Sequence, residues 1–484
     1  MVWLRMNHRI PRSLAVSLVV KKYLPLTHLA ALGAFAALML PAIVLLAHVA
    51  LLPQGQWHDE YFGFVFWRLY GFDGELMRLL HWGPRPLSEL FLYFYYLAEK
   101  ATNAPLLVPA LAFAWSTLGA GLVMATRPWR RPGRAGRAAL ALSLPALFLM
   151  VGPIGELFYW PYGALAYLPA LGAACFVTLH LAGPGLDEEG GWTSLAVALA
   201  LGAISVEMGA FLTVSIAPGL LLVAFRLSAA RRWQRITAVL VPLAMASGVL
   251  FALWNGRVSR GREMFGDPAL VHHVGIDFLL AVRTLALEFI HPPGWSVGAS
   301  LAAKVAVFFG ARACLAAAWP GQRRRGPVYA LLVGLTATAL LSILGAYYNF
   351  GVLCCDRHET YRQALYLLMV VAAAGLWKPA GVMFGADLLL PLAVLINLQP
   401  RLAAVRAEYR LAGARAYAWH ILFASGLTPG PGKLDFVVAP SGPLFQYGIF
   451  PPGFYQMSQH PPTNISGPML LFNKQSMQVR EGKP

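Results

Sequence analysis

The chain has 484 residues, of which 58% are apolar and only 12% are charged, whereas about a quarter of the residues in soluble domains are charged. This composition excludes a string of ordinary soluble domains and predicts one polytopic membrane protein. The net charge of +17 does not indicate a nucleic-acid partner, because the basic residues stand in short loops between apolar runs, a pattern typical of membrane topology.

Apolar runs recur along the chain, and a helix needs about 20 mostly apolar residues to cross a bilayer. We therefore predict an all-α polytopic membrane protein with about eleven transmembrane helices, a count uncertain by about two. The predicted spans lie near residues 24–52, 105–125, 138–153, 163–182, 193–208, 211–225, 236–254, 297–318, 328–348, 364–377 and 379–398. The apolar run 87–100 would be a twelfth helix or a partial, interfacial one.

The orientation of the helices follows from the distribution of lysine and arginine. Four segments together hold seventeen basic residues and no acidic residue, namely residues 1–22, 126–137, 226–235 and 321–326. All four fall on one side of an eleven-span arrangement, and that side is predicted to face the cytoplasm. The chain would then lie in the bacterial inner membrane, with a cytoplasmic N-terminus and a periplasmic C-terminus.

Two regions follow from this arrangement. Residues 1–398 form the predicted transmembrane domain, which includes a first periplasmic loop at residues 53–104. Residues 399–484 begin with a helix-like stretch and continue with Pro/Gly-rich segments and the strand-like KLDFVVAP at residues 433–440. We interpret this tail as a small periplasmic appendix.

An acidic pair stands just beyond the first apolar run, in QGQWHDEYFGFVFWRLYGF at residues 54–72. Asp59 and Glu60 lie beside His58 and among many aromatic residues. Partial burial beside aromatic rings raises the pKa of a carboxyl group and makes it a better base. The alternative is that the pair only caps an interfacial helix.

A single arginine, Arg85, stands between two prolines in HWGPRPLSELFLYF, where the chain re-enters an apolar run. Proline fixes the backbone there, and a guanidinium can bind a phosphate with two parallel hydrogen bonds. Glu89 is four residues further on and could pair with Arg85. The alternative is an arginine that only anchors a helix end.

Aromatic residues and a carboxylate crowd another membrane boundary, in GPIGELFYWPYGALAYLPALG at residues 152–172. Flat aromatic faces with a nearby carboxylate suit a sugar, whose C–H face stacks while its hydroxyls form hydrogen bonds. An ordinary interfacial aromatic belt is the alternative. The residues concerned are Glu156, Tyr159, Trp160, Tyr162 and Tyr167.

Two further charged positions accompany the later spans. Glu207 stands within a long apolar stretch, where an ionisable residue is a functional candidate by default, although it could also only cap a helix. Arg357 and Arg362, in CCDRHETYRQALYLL, can lie close together at helical spacing and could complete a phosphate site. They could equally belong to an ordinary solvated helix start.

In this order, these clusters resemble the GT-C superfamily of polytopic glycosyltransferases, in the branch of O-antigen glucosyltransferases and protein mannosyltransferases. The resemblance rests on Asp59-Glu60 in the first extracytoplasmic loop, on Arg85-Pro86-Leu87 at the start of the next membrane segment, and on GELFYWPYGALAY. Glu207 looks like a later membrane-boundary acid of such enzymes. The resemblance covers roughly residues 24–400 in architecture and leaves the tail unassigned.

The resemblance implies a sugar transferase that takes its donor from a polyprenyl-phosphate carrier at the periplasmic membrane face. The acceptor would be a glycan, a lipid or a protein. Asp59 would be the catalytic base with Glu60 in support, and Arg85 with Arg357 or Arg362 would hold the donor phosphate. The residues implied for sugar or acceptor binding are His58, Glu156, Tyr159, Trp160, Tyr162, Tyr167 and Glu207.

No cofactor is certain from the sequence. Asp59, Glu60 and His58 could bind a divalent cation, and the sequence leaves open whether one is required. Two other functions remain open: an O-antigen polymerase or ligase, and a secondary transporter. A transporter should show related halves and helices broken near the midplane, and the sequence indicates neither clearly.

Overall fold

The computed structural model describes residues 58–126, 135–183, 185–227, 229, 231–265, 274–292, 294–318, 325–350, 353, 355–377, 386–444, 451–459, 461 and 463–481. Most of this part of the chain is helical. The α-helices run, in chain order, α1 His58–Met77, α2 Pro86–Thr102, α3 Leu107–Thr126, α4 Ala135–Met150, α5 Pro161–Ala182, α6 Gly191–Ser205, α7 Glu207–Arg226, α8 Arg232–Phe265, α9 Val274–Ile290, α10 Val297–Ala318, α11 Arg325–Phe350, α12 Asp356–Leu376, α13 Leu389–Leu395, α14 Leu398–Gly426 and α15 Thr463–Phe472.

Several of these helices are suited to a membrane. Among the described residues, six helices are long and apolar enough to cross one, namely α3, α5, α7, α8, α10 and α11. The pair α13–α14, bent by 50°, would be a seventh if it forms one span. The apolar helices α4 and α6 are shorter. The predicted span 24–52 lies outside the described residues, so the count of eleven stays a prediction.

Helix α5 forms the centre of the bundle. Its spanning window is 89% buried inside the protein, compared with 28% for α8, because α5 is apolar on every face while α8 leaves apolar side chains for lipid. Small residues let its neighbours approach closely. A Cβ atom on Gly121 of α3 would lie 2.3 Å from the carbonyl oxygen of Gly172 in α5, so glycine is required at that crossing.

The ends of four helices are fixed by local backbone features. Proline opens α2 at Pro86 and α5 at Pro161, a position where its missing N–H and fixed φ angle favour helix initiation. A single extended residue, Val206, separates α6 from α7. Cys355, with φ 60°, turns the chain into α12. These four beginnings position the residues of the candidate site.

Two helices extend beyond the expected spans. The stretch between the predicted spans 236–254 and 297–318 contains the continuation of α8 to Phe265 and the whole of α9. Helix α12 begins at Asp356 instead of residue 364. The charged residues of its first turns do not stop the helix, because Arg357, His358 and Arg362 find partners inside the protein.

The tail forms a compact unit against the first described helix. Strands β1 Lys433–Val438, β2 Gly453–Gln456 and β3 Ser476–Glu481 form a sheet in the order β1-β3-β2, with β1 parallel and β2 antiparallel to β3. Arg68 of α1 donates a hydrogen bond of 2.8 Å to the carbonyl oxygen of Leu470 in α15. The predicted appendix therefore packs on the same loop that carries the acidic pair.

Candidate functional site

Four helices begin at one common place. Arg85, the residue before α2, lies 3.2 Å from Glu207, the first residue of α7. Glu207 in turn lies 3.3 Å from His358 in the first turn of α12. Arg357, beside His358, contacts Glu156 just before α5 at 3.1 Å. We call this group the N-terminal cluster; it consists of Arg85, Glu156, Tyr167, Glu207, Arg357 and His358.

Tyr167 lies at the middle of the N-terminal cluster. Its hydroxyl is 2.6 Å from Nε2 of His358 and 3.3 Å from Oε1 of Glu207. The guanidinium of Arg85 stands over its ring at 5.9 Å. The hydroxyl therefore connects Glu207 with His358, and the face of the ring packs against the guanidinium of Arg85.

Arg85 keeps most of its donors unused. Its Nε faces Oε2 of Glu207 at 3.2 Å without hydrogen-bond geometry. Within the described part of the chain, Nη1 and Nη2 of Arg85 donate no hydrogen bond. Burial lowers the pKa of this guanidinium, but Glu207 and Tyr167 outweigh that effect and raise it above its ordinary value. A charged planar fork with free donors suits an oxyanion such as a phosphate.

Arg357 joins the N-terminal cluster to a buried aromatic pair, Trp160 and Tyr162. Its backbone N–H and its Nη1 both donate to Oε2 of Glu156, at 3.2 and 3.1 Å. Its guanidinium stands 5.3 Å from the ring of Trp160. Trp160 stacks on Tyr162 with ring centroids 5.4 Å apart. The guanidinium and the two rings therefore form one packed layer beside the cluster.

His358 is held as a neutral group in this structure. Burial lowers its pKa below the ordinary value, although the neighbouring Glu207 carboxylate opposes that effect. Its imidazole therefore adds no charge to the cluster at neutral pH, and Arg85 is the cation that balances Glu207.

The helix ends add a positive field. The N-terminus of a helix carries unsatisfied N–H groups and roughly half a positive elementary charge, and anions bind there for this reason. Four such ends, those of α2, α5, α7 and α12, converge on the N-terminal cluster. Two arginines and four helix N-termini together make this the strongest candidate for anion binding among the described residues.

A second buried network adjoins the buried aromatic pair of Trp160 and Tyr162. Glu89 accepts a hydrogen bond of 2.9 Å from Arg78, which also donates to the hydroxyl of Tyr162. The expected pairing of Arg85 with Glu89 is therefore wrong, because a π-helical turn at Arg78–Trp82 brings Arg78 inward to Glu89. Nearby, Trp67 donates a hydrogen bond of 2.7 Å to Glu75.

Glu75 is buried with incomplete hydrogen bonding. Its side chain accepts the Trp67 bond through Oε2, while Oε1 has no partner among the described residues. Burial raises the pKa of Glu75 to about 7, and the Glu89 carboxylate adds to the increase. The group therefore titrates near neutral pH.

Arg362 and Tyr159 lie away from the cluster. Nε and Nη2 of Arg362 donate to Glu288 of α9, at 2.8 and 2.6 Å, and Tyr366 donates to the same carboxylate at 2.9 Å. Nη1 of Arg362 is buried and has no hydrogen-bond partner among the described residues. Of the two arginines considered as partners of Arg85, the structure brings only Arg357 into the cluster. Tyr159 is buried on the side of Arg401 in α14.

The acidic pair opens α1. His58, Asp59 and Glu60 form the first turn of that helix, and their side chains lie outside the described residues, so their roles stay predictions. No group of three or more His, Cys, Asp or Glu side chains suited to a metal ion occurs in the part of the chain that the structure describes. The question of a divalent cation at the pair stays open.

Sequence reasoning missed several residues of the site. His358 lies in the charged segment at residues 354–368, where the sequence indicates only Arg357 and Arg362 as site residues. Glu288 could not be recognised because its partner Arg362 is 74 residues away in the chain. Arg78 could not be recognised because its contact with Glu89 depends on the π-helical turn at Arg78–Trp82. The chain matches no family model, no curated protein and no solved structure, so the site is interpreted from its own geometry.

Proposed function

We propose that the chain transfers a sugar from a polyprenyl-phosphate-linked donor to a glycan, lipid or protein acceptor, as a member of the GT-C superfamily. The observation that carries the proposal is the N-terminal cluster, where two arginines and four helix N-termini converge. Two of these helices, α5 and α7, are long and apolar enough to cross a membrane. Such a position brings a phosphate group to the boundary of the membrane while its lipid chain stays between helices.

Arg85 and Arg357 are the proposed phosphate ligands. The free Nη1 and Nη2 of Arg85 would bind two phosphate oxygens at once. Arg357, which contacts Glu156, would be the second cation beside the phosphate. Arg362 is engaged by Glu288 and would support α12 without touching the phosphate.

The neighbourhood of Trp160 and Tyr162 is the proposed sugar site. The two rings are buried and stacked on each other beside Arg357, and their edges with the nearby polar groups would border the sugar. Arg78 donates a hydrogen bond to the hydroxyl of Tyr162, which holds that ring in one orientation.

The proposed chemistry is substitution at the anomeric carbon. The acceptor oxygen forms a bond to that carbon, and the bond from carbon to the phosphate oxygen breaks with its electron pair remaining on the phosphate. The acceptor proton goes to a base, for which we propose Asp59 with Glu60 in support.

The proposed location of the reaction is the periplasmic face of a bacterial inner membrane. In the predicted eleven-span arrangement, residues 152–163, Glu207 and residues 349–363 fall on the side opposite to the four basic segments. Within them, Glu156 contacts Arg357 and Glu207 contacts Arg85.

The test uses the purified full chain in lipid nanodiscs with a panel of polyprenyl-phosphate-linked hexoses and envelope glycan, lipid and peptide acceptors. We expect release of polyprenyl phosphate that depends on Arg85 and is unaffected by Arg480→Ala, a change at an exposed arginine of β3. If no polyprenyl phosphate is released and proteoliposomes containing the protein take up a solute, the sugar-transferase proposal is rejected in favour of a secondary transporter.

A further inference from the structure

The charges of the N-terminal cluster are balanced in pairs. Arg85 faces Glu207 at 3.2 Å, and Arg357 faces Glu156 at 3.1 Å. His358 is neutral and contributes no charge. A phosphate that enters this cluster therefore adds negative charge to a site whose two arginines already have carboxylate partners.

Binding of a phosphate at Arg85 weakens the ion pair that stabilises the Glu207 carboxylate. A phosphate in the fork of Arg85 draws the guanidinium away from the carboxylate or shares its charge. Glu207 is only 15% exposed, and a buried charge that loses its partner is strongly destabilised. The cluster needs a replacement cation at Glu207.

His358 is the group placed to supply that cation. Its Nε2 lies 3.3 Å from Oε1 of Glu207, on the side of the carboxylate opposite to the Arg85 contact at Oε2. The other groups that face the imidazole are the hydroxyl of Tyr167 from α5 and, from its own helix, the guanidiniums of Arg357 and Arg362. Added negative charge from a phosphate favours the imidazolium over the neutral ring.

We propose that binding of a phosphate at Arg85 is coupled to the uptake of one proton by His358, whose imidazolium then replaces Arg85 as the counter-charge of Glu207. The proton comes from solvent, and no covalent bond to the protein forms or breaks. This coupling rests on the proposed sugar-transferase function in one respect, namely that the ligand is a prenyl phosphate.

This coupling acts on the product side of sugar transfer. The donor is a phosphodiester with one negative charge, and the phosphate that leaves is a monoester with up to two, because the electron pair of the broken bond stays on its oxygen. An imidazolium at Glu207 frees Arg85 entirely for the phosphate as that second charge appears. His358 would thus be a positioning residue that acts through Glu207 and Arg85.

The test is calorimetric titration of the detergent-solubilised full chain with farnesyl phosphate at pH 7.5, in two buffers of different ionisation enthalpy. The dependence of the heat on the buffer gives the number of protons taken up. Farnesyl phosphate can itself change protonation on binding, so His358→Gln serves to subtract that contribution. His420→Gln, at an exposed histidine of α14, is the matched control.

We expect the wild type and His420→Gln to take up about one proton more than His358→Gln. Above neutrality their affinity should therefore fall by an additional factor of about ten for each pH unit, compared with His358→Gln. Glu207→Gln should also lose the extra proton, because an amide needs no counter-charge. Equal uptake by the wild type and His358→Gln would overturn the coupling while leaving the phosphate site intact. Failure of the wild type to bind farnesyl phosphate would overturn both proposals.

Discussion

The guanidinium of Arg85 lies 3.2 Å from the carboxylate of Glu207, although the two residues belong to segments far apart in the chain. The contact places the N-terminus of α2 against that of α7. It also leaves Nη1 and Nη2 of Arg85 without a hydrogen-bond partner among the described residues. A residue that served only as a membrane anchor would point its guanidinium to the headgroups.

The first prediction concerns this planar fork. Arg85→Lys should weaken binding of a prenyl phosphate about ten- to a hundredfold, because lysine keeps the charge but cannot form two parallel hydrogen bonds. Titration with farnesyl phosphate measures the change, with Arg480→Lys as the control at an exposed site. Full affinity in Arg85→Lys would mean that the fork does not bind the phosphate.

The second prediction concerns the acidic pair. Asp59→Asn keeps the size of the side chain but removes its capacity to accept a proton, so turnover should fall on the order of 10²- to 10⁴-fold while donor binding is largely retained. Glu60→Gln should be affected less. If only Glu60→Gln is inactive, the two roles are exchanged, and if both variants are active, this loop holds no catalytic base.

The third prediction concerns the buried pair of Arg362 and Glu288, whose contacts measure 2.8 and 2.6 Å. Glu288→Gln leaves a buried guanidinium without its counter-charge and should cost about 3–5 kcal/mol of stability. Asp435→Asn removes a partner from exposed ion pairs with Lys433 and Arg480 and should cost at most about 1 kcal/mol. The free energies of unfolding of the two variants are measured in detergent, and equal losses of stability would contradict the prediction.

The fourth prediction concerns pH and Glu75. Its pKa in the folded protein is raised from 4.5 to about 7, so the folded state binds a proton that the unfolded state releases between those values. Stability should therefore be highest below about pH 4.5 for this group and fall as pH rises through 7. Glu75→Gln should flatten that part of the stability profile, whereas an unchanged slope would show that Glu75 ionises normally.

The fifth prediction concerns topology. Reporter fusions after residues 130, 230 and 323 should lie in the cytoplasm, and a fusion near residue 410 in the periplasm, because seventeen basic residues lie on one side of the predicted arrangement. Opposite results at two or more of these points would reject the orientation and, with it, the periplasmic site.

Much of the helical architecture could be predicted from the sequence. The apolar runs near residues 105–125, 163–182 and 328–348 correspond to α3, α5 and α11, because burial of about 20 apolar residues in lipid is a local property of composition. The strand-like KLDFVVAP likewise contains β1. Helix α9 was missed because Asp277, Arg283 and Glu288 interrupt its apolar pattern.

The site could be predicted only in part. The residues Arg85, Glu156, Tyr167, Glu207 and Arg357 were all selected, since charges and aromatic residues at membrane boundaries are scarce and conspicuous. Their pairing was not predictable. The sequence suggested Arg85 with Glu89, the neighbour one helical turn away, while the structure pairs Arg85 with Glu207 and Glu89 with Arg78.

The sequence by itself determined that this is a helical membrane protein and which few charged residues lie near its helix ends, because both follow from local hydrophobicity. Only the tertiary structure decided that α2, α5, α7 and α12 begin side by side, that His358 shares Glu207 with Arg85, and that Arg362 is engaged by Glu288. The physical reason is that a buried charge takes the partner that helix packing brings within reach, and that partner need not be near in sequence.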